Sequence, residues 1–154
     1  MKRVSYVEDS KKWLEEFTFS IKTKVRFSET DLFGHMNNTV PFTYFEEARI
    51  EFLKSVGAFQ VETDDSNSIP VAADLQCDYH KQVFFDDVLS VAVKINYVGN
   101  TSYDLHYLVR NKEGDVCLTG RGRIVQIDAG SGKPVSIPRE ILNAYELSPS
   151  VAKG

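Results

Sequence analysis

The segment from Ser28 to Asn38, SETDLFGHMNN, puts acids, a glycine, an imidazole and two amides within eleven residues. Asp31 is its first candidate for chemistry. A loop carboxylate can attack an activated carbonyl directly, or it can activate a water that does so. It can equally accept loop N–H groups and do no chemistry, as Asp often does in turns. The residues alone leave both readings open. Gly34 lets the backbone approach a ligand closely or take a positive φ. His35 follows it, with an unperturbed pKa of about 6.5 that suits acid–base work; ordering the loop or lining a pocket is the plainer role. A helix that starts after this loop offers free N–H groups and the positive end of its dipole, which a developing oxyanion needs. Asn38 stands at that start, and a simple helix cap is its other reading.

The remaining chemistry-bearing residues are scattered. Glu46 and Glu47 fall on the predicted helix, and Glu46 pairs with Arg49 at i,i+3. His80 and His106 lie on strand faces opposite the apolar residues, and no HxH or HExxH spacing supports a metal centre. There is no GxSxG elbow, no P-loop and no GxGxxG. Cys77 and Cys117 form no CxxC pair, and both read as small buried hydrophobes.

The elements that must position these groups follow from periodicity. Phe19 to Phe27 alternates, with Ile21, Thr23, Val25 and Phe27 on one side and Lys22, Lys24 and Arg26 on the other, which predicts a half-buried strand. Pro41, Phe45, Ala48, Phe52 and Val56 make one helical stripe. Pro41 suits a first turn, Asn38 and Thr39 suit an N-cap, and Gly57 suits a stop. Phe42, Tyr44, Ile50 and Leu53 broaden the apolar surface, so the helix needs wide cover. Residues Val61 to Ser68 are acidic and polar and read as a loop.

A period of two then persists. Val71, Ala73, Leu75, Cys77 and Tyr79 form one predicted face, followed by strands around Leu89–Tyr97, Tyr103–Val109 and Val116–Ile127. A short last helix is seeded by Pro138. One long helix against at least five mostly antiparallel strands is an α+β domain. Residues 1–17 read as a leader or short helix, and residues 18–154 as the domain.

Composition narrows the class. The 154 residues are 42% hydrophobic and 26% charged, with a formal net charge of −4. Nucleic-acid binders usually show a basic excess, which is absent here. The N-terminus has no signal-type apolar stretch, and no run approaches the roughly 18 apolar residues of a membrane span. A cytoplasmic location is the expectation.

The segment Val25 to Arg49, VRFSETDLFGHMNNTVPFTYFEEAR, resembles the signature of the 4-hydroxybenzoyl-CoA thioesterase-like family of hot-dog proteins. The likeness continues through Asp78-Tyr79-His80 and the tail GKPVSIPREI, Gly132 to Ile141. It implies a hot-dog fold, with a curved antiparallel sheet wrapped around one long central helix. It implies dimers or tetramers with sites at the subunit interface, and no cofactor beyond a CoA or carrier thioester as substrate.

By the same resemblance, Asp31 matches the catalytic carboxylate, and the backbone N–H of Asn38, seven residues on, matches the oxyanion donor. Some thioesterases of this fold use a helix carboxylate instead, which keeps Glu46 and Glu47 as rivals. Without a glycine cradle, CoA phosphates would meet surface cations, for which Lys81, Arg121 and Arg123 stand as candidates with Ser102 beside them. Pro41 departs from the family's usual tyrosine and puts the specific acyl group in doubt. A dehydratase of a hydroxyacyl thioester and a non-catalytic thioester-binding oligomer remain as competing readings.

Overall fold

The computed structural model describes residues 1–59 and 67–152. The expected acidic loop therefore lies outside the described residues except for Asn67 and Ser68, and Ser68 already belongs to a strand. The elements are helix α1 (Ser10–Glu15), strand β1 (Phe19–Lys24), a 3₁₀ turn (Phe27–Glu29), helix α2 (Val40–Ser55), β2 (Ser68–Tyr79), β3 (Val88–Val98), β4 (Ser102–Arg110), β5 (Val116–Asp128), α3 (Arg139–Glu146) and α4 (Pro149–Ala152). The five strands form one antiparallel sheet in the order β1-β3-β4-β5-β2. This is a hot-dog-like architecture, with one correction to the expectation. The sheet is open, with β1 and β2 as its edges, and it does not curl into a wrap around the helix.

Helix α2 is the core element. Pro41, Tyr44, Phe45, Ala48, Phe52 and Leu53 are buried on it, which is the predicted stripe with two of its broadening residues but without Val56, the C-cap, which is only partly buried. Phe45 is wholly buried and stacks on Tyr107 of β4, with centroids 4.5 Å apart. Burying one such side chain contributes about 1.5–3 kcal/mol. Gly57 has φ +79° and ends the helix as expected.

Close approaches by α2 and by β2 explain the glycines of the run Gly120-Arg121-Gly122-Arg123. A Cβ on Gly120 would lie 2.5 Å from the Phe45 ring, and one on Gly122 would lie 2.7 Å from Leu75. Gly120 admits Phe45 of α2, Gly122 admits Leu75 of the neighbouring strand β2, and the two arginines project from the opposite face.

Two predicted patterns break. Strand β1 stops at Lys24, so Phe27 is not a strand residue and is 77% exposed. The cause is Glu29, whose carboxylate accepts from Arg26 N–H at 2.9 Å while its own N–H donates to Arg26 O, turning the chain. In β2 a bulge between Ala72 and Asp74 inserts one residue. Val71 pairs with Val125 and Leu75 with Gly122, so these two side chains leave on opposite faces instead of sharing one.

Residues 1–17 cover part of the sheet's second face. Val4, Val7 and Trp13 are buried with Ala92 and Leu108 there, and Glu16 forms a buried ion pair with Lys94. Among the described residues no helix is long and apolar enough to cross a membrane.

Candidate active site at the start of helix α2

The loop between the 3₁₀ turn and α2 is tied by its own polar groups. Asp31 Oδ1 accepts from Phe33 N–H at 2.8 Å and His35 N–H at 3.1 Å, and Asp31 N–H donates to His35 O at 2.8 Å. Gly34 completes the turn with φ +78°. The loop-tying role therefore holds for one oxygen of Asp31. Its other oxygen, Oδ2, has no hydrogen-bond partner among the described residues.

Thr39 is the N-cap of α2 by position, but its side chain does not cap the helix. Asn37 orders the turn that leads into the helix, since its Oδ1 accepts from Thr39 N–H at 3.0 Å and from Thr39 Oγ1 at 2.8 Å. Asn37 N–H donates to Glu29 O at 2.7 Å, and Asn37 O accepts from Val40 N–H at 3.0 Å. Between these anchored groups, Asn38 N–H finds no acceptor among the described residues. It is a free donor at the positive end of a 16-residue helix.

Asp31, His35 and Asn38 line one cavity of about 330 Å³ together with Met36, Tyr79 and His80. The cavity is thus built where β2 ends beside the helix start. Lys81 also lines it, and its ammonium pairs with Asp115 at 2.6 Å, which raises its pKa. His35 packs edge-on against Phe84 at 5.1 Å.

Other sequence candidates lie elsewhere. Glu46 and Glu47 are exposed on α2 and do not line this cavity. Glu46 makes only a loose contact with Arg49 at 3.8 Å, while Arg49 donates to Tyr107 Oη at 3.2 Å. Arg121 pairs with Asp74 at 3.0 Å, and Arg123 with Asp104 at 2.8 Å. Ser102 sits opposite Val125 on β4, away from the cavity.

Two participants escaped the sequence reading. Tyr79 donates its hydroxyl to Asn38 O across the cavity. Its pKa is pushed up to about 12, by burial first and by Cys77 second, so it stays a donor. His80 has both ring nitrogens engaged, Nδ1 accepting from Lys2 N–H at 3.1 Å and Nε2 meeting Thr119 Oγ1 at 2.8 Å. Burial lowers its pKa. The Asp78-Tyr79-His80 run was the available signal, but it was legible as part of the family likeness and not as part of a site.

Comparison with known proteins identifies the family and the fold. The chain is 44% identical over 137 residues to the uncharacterized protein YsmA of Bacillus subtilis, covering 88% of this chain and 91% of YsmA. It is 27% identical to the acyl-CoA thioesterase YbgC of Haemophilus influenzae, over 82% of this chain and 93% of that one. A crystal structure of a hypothetical protein from Aquifex aeolicus superposes with a TM-score of 0.74 at 32% identity, covering 83% of this chain and 99% of that one. A family model matches residues 25–145, from the end of β1 to α3, and by that match the chain belongs to the thioesterase-like superfamily of hot-dog proteins.

Proposed function

We propose that the chain hydrolyses an acyl thioester, carried by CoA or by an acyl carrier, to the free acid and thiol. One observation carries the reading: a carboxylate oxygen of Asp31 and the N–H of Asn38, neither engaged by the described residues, belong to two residues that line one cavity. The name of YbgC, an acyl-CoA thioesterase, supports the substrate class.

Two routes use these groups. As nucleophile, Asp31 bonds to the carbonyl carbon and expels the thiolate; water then cleaves the mixed anhydride and restores the carboxylate. As general base, Asp31 takes a proton from water while the hydroxide adds to the carbonyl. The tetrahedral intermediate collapses, and the departing thiolate takes that proton. In both, Asn38 N–H donates to the oxygen that gains charge. Of the four residues proposed for CoA, Lys81 is the one that lines this cavity, where it pairs with Asp115. Ser102, Arg121 and Arg123 do not line it, and both arginines pair with carboxylates, which weakens their part in the proposal.

A second copy is part of the proposal. The β2 edge is unpaired along one side, and Ile69, Leu75 and Tyr79 on it are 39–46% exposed. Pairing as a dimer or tetramer would cover them. The deciding experiment is thiol release from a panel of acyl-CoA esters by wild type and by Asp31→Asn. Turnover by the wild type alone supports the reading, and equal turnover by both overturns Asp31. Light scattering near 17 kDa at micromolar concentration would overturn the oligomer.

A further inference from the structure

We infer that Tyr79 is a positioning residue for the oxyanion donor: its hydroxyl, on the Asn38 carbonyl, fixes the direction of the Asn38 N–H. The inference rests on the hydrolytic reading above and assigns a role to a residue outside it.

Two peptide planes meet at Asn38. The first joins Asn37 C=O to Asn38 N–H, and Val40 N–H holds its carbonyl at 3.0 Å. The second joins Asn38 C=O to Thr39 N–H. Asn37 Oδ1 holds its N–H end at 3.0 Å, and the Tyr79 hydroxyl holds its carbonyl end. With three of these four groups anchored, the fourth, Asn38 N–H, is left free and pointed. Asn37 and Val40 belong to the same local turn and swing with it. Glu29 O of the 3₁₀ turn holds Asn37 N–H at 2.7 Å, and Tyr79 is the anchor from the sheet, at the end of β2, 41 residues from Asn38. It ties the helix start to the sheet.

The far end of that anchor is also fixed. The neighbours of Tyr79 are held to the sheet's second face, Asp78 accepting from Tyr6 Oη at 3.2 Å and His80 meeting Thr119 at 2.8 Å. The strand end that carries Tyr79 therefore cannot drift freely. An N–H aimed before substrate arrives needs no reorganisation when charge develops on the carbonyl oxygen.

Tyr79→Phe in the full chain tests this, because it removes the hydroxyl and keeps the ring. In the free protein the Asn38 amide resonance should move and broaden while core amides such as Val91 and Leu105 stay in place. In turnover, kcat should fall about tenfold, less than the roughly 100- to 1,000-fold loss of a whole oxyanion donor. KM should stay within about twofold, since positioning acts on the transition state. An unchanged Asn38 amide overturns the inference. So does an unchanged kcat, including the case where only KM rises and Tyr79 proves to be a substrate contact. If the wild type releases no thiol from any acyl-CoA, the hydrolytic reading fails, while the Asn38 amide still decides whether Tyr79 anchors the helix start.

Discussion

The Trp13 indole N–H donates to His106 Nδ1 at 2.8 Å beneath the N-terminal segment, 93 residues apart in sequence. Both rings are buried, at 5% and 2% exposure, so this bond joins the N-terminal helix to the middle of the sheet. Trp13→Phe keeps most of the packing and leaves the imidazole nitrogen without its donor. Leaving a buried acceptor unsatisfied costs about 1–3 kcal/mol. Denaturant unfolding should show that loss, and thiol release should change little because the cavity at Asp31 lies elsewhere.

The same pair gives a pH dependence. His106 is lowered to about 3, by burial first, with the positive charges of Lys94 and Arg121 adding to it and Asp104 opposing. The unfolded chain therefore takes up this proton near pH 6.5 and the folded chain only near pH 3. Stability from the neutral ring is complete above about pH 6.5 and is lost as pH falls through that window. His106→Gln keeps an acceptor for the indole and does not titrate. Its unfolding free energy should fall less steeply between pH 6.5 and 4 than that of the wild type; parallel curves would contradict the assignment.

Asp31→Asn keeps Oδ1 for the Phe33 and His35 amides, so the loop should hold and the melting temperature should stay close to wild type. The charge is gone, and turnover should drop about 100- to 10,000-fold. Glu46→Gln and Glu47→Gln alter exposed helix residues and should leave kcat near the wild-type value. A large loss in either would move the chemistry from the loop to the helix.

Gly120→Ala places a methyl 2.5 Å from the Phe45 ring and 2.8 Å from Gln76 O. The ring, stacked on Tyr107, has little room to retreat. Overpacking of this kind costs about 1–3 kcal/mol. Thermal unfolding should report it, whereas Gly114→Ala, whose Cβ meets open space, should cost only the strain of φ +85°.

What the sequence made legible were features with a strong period or a local cause. The stripe from Pro41 to Phe52 needs no knowledge of its partners, and the Gly57 stop follows from backbone geometry. Val71 and Leu75 misled because a bulge changes phase without leaving a mark in an alternating pattern. Arg121 and Arg123 looked like anion binders because their carboxylate partners, Asp74 and Asp104, come from other strands. The loop of Asp31 was legible as a motif, yet neither Asn38 nor Thr39 caps the helix with its side chain, and Asn37 orders the turn before it. Tyr79 was invisible for the same reason as the arginines: its partner is 41 residues distant.

The buried pairing of Glu16 with Lys94, beside Trp13 on His106, sets an order of assembly. The segment of Val4 to Glu16 leaves the ribosome before its docking surface on β3 and β4, whose residues are synthesised some 80 to 90 positions later. Val4, Val7 and Trp13 must wait, apolar and uncovered, until those strands have paired. Contacts of such long sequence separation form slowly, and until they form the segment is a point of vulnerability to aggregation during synthesis.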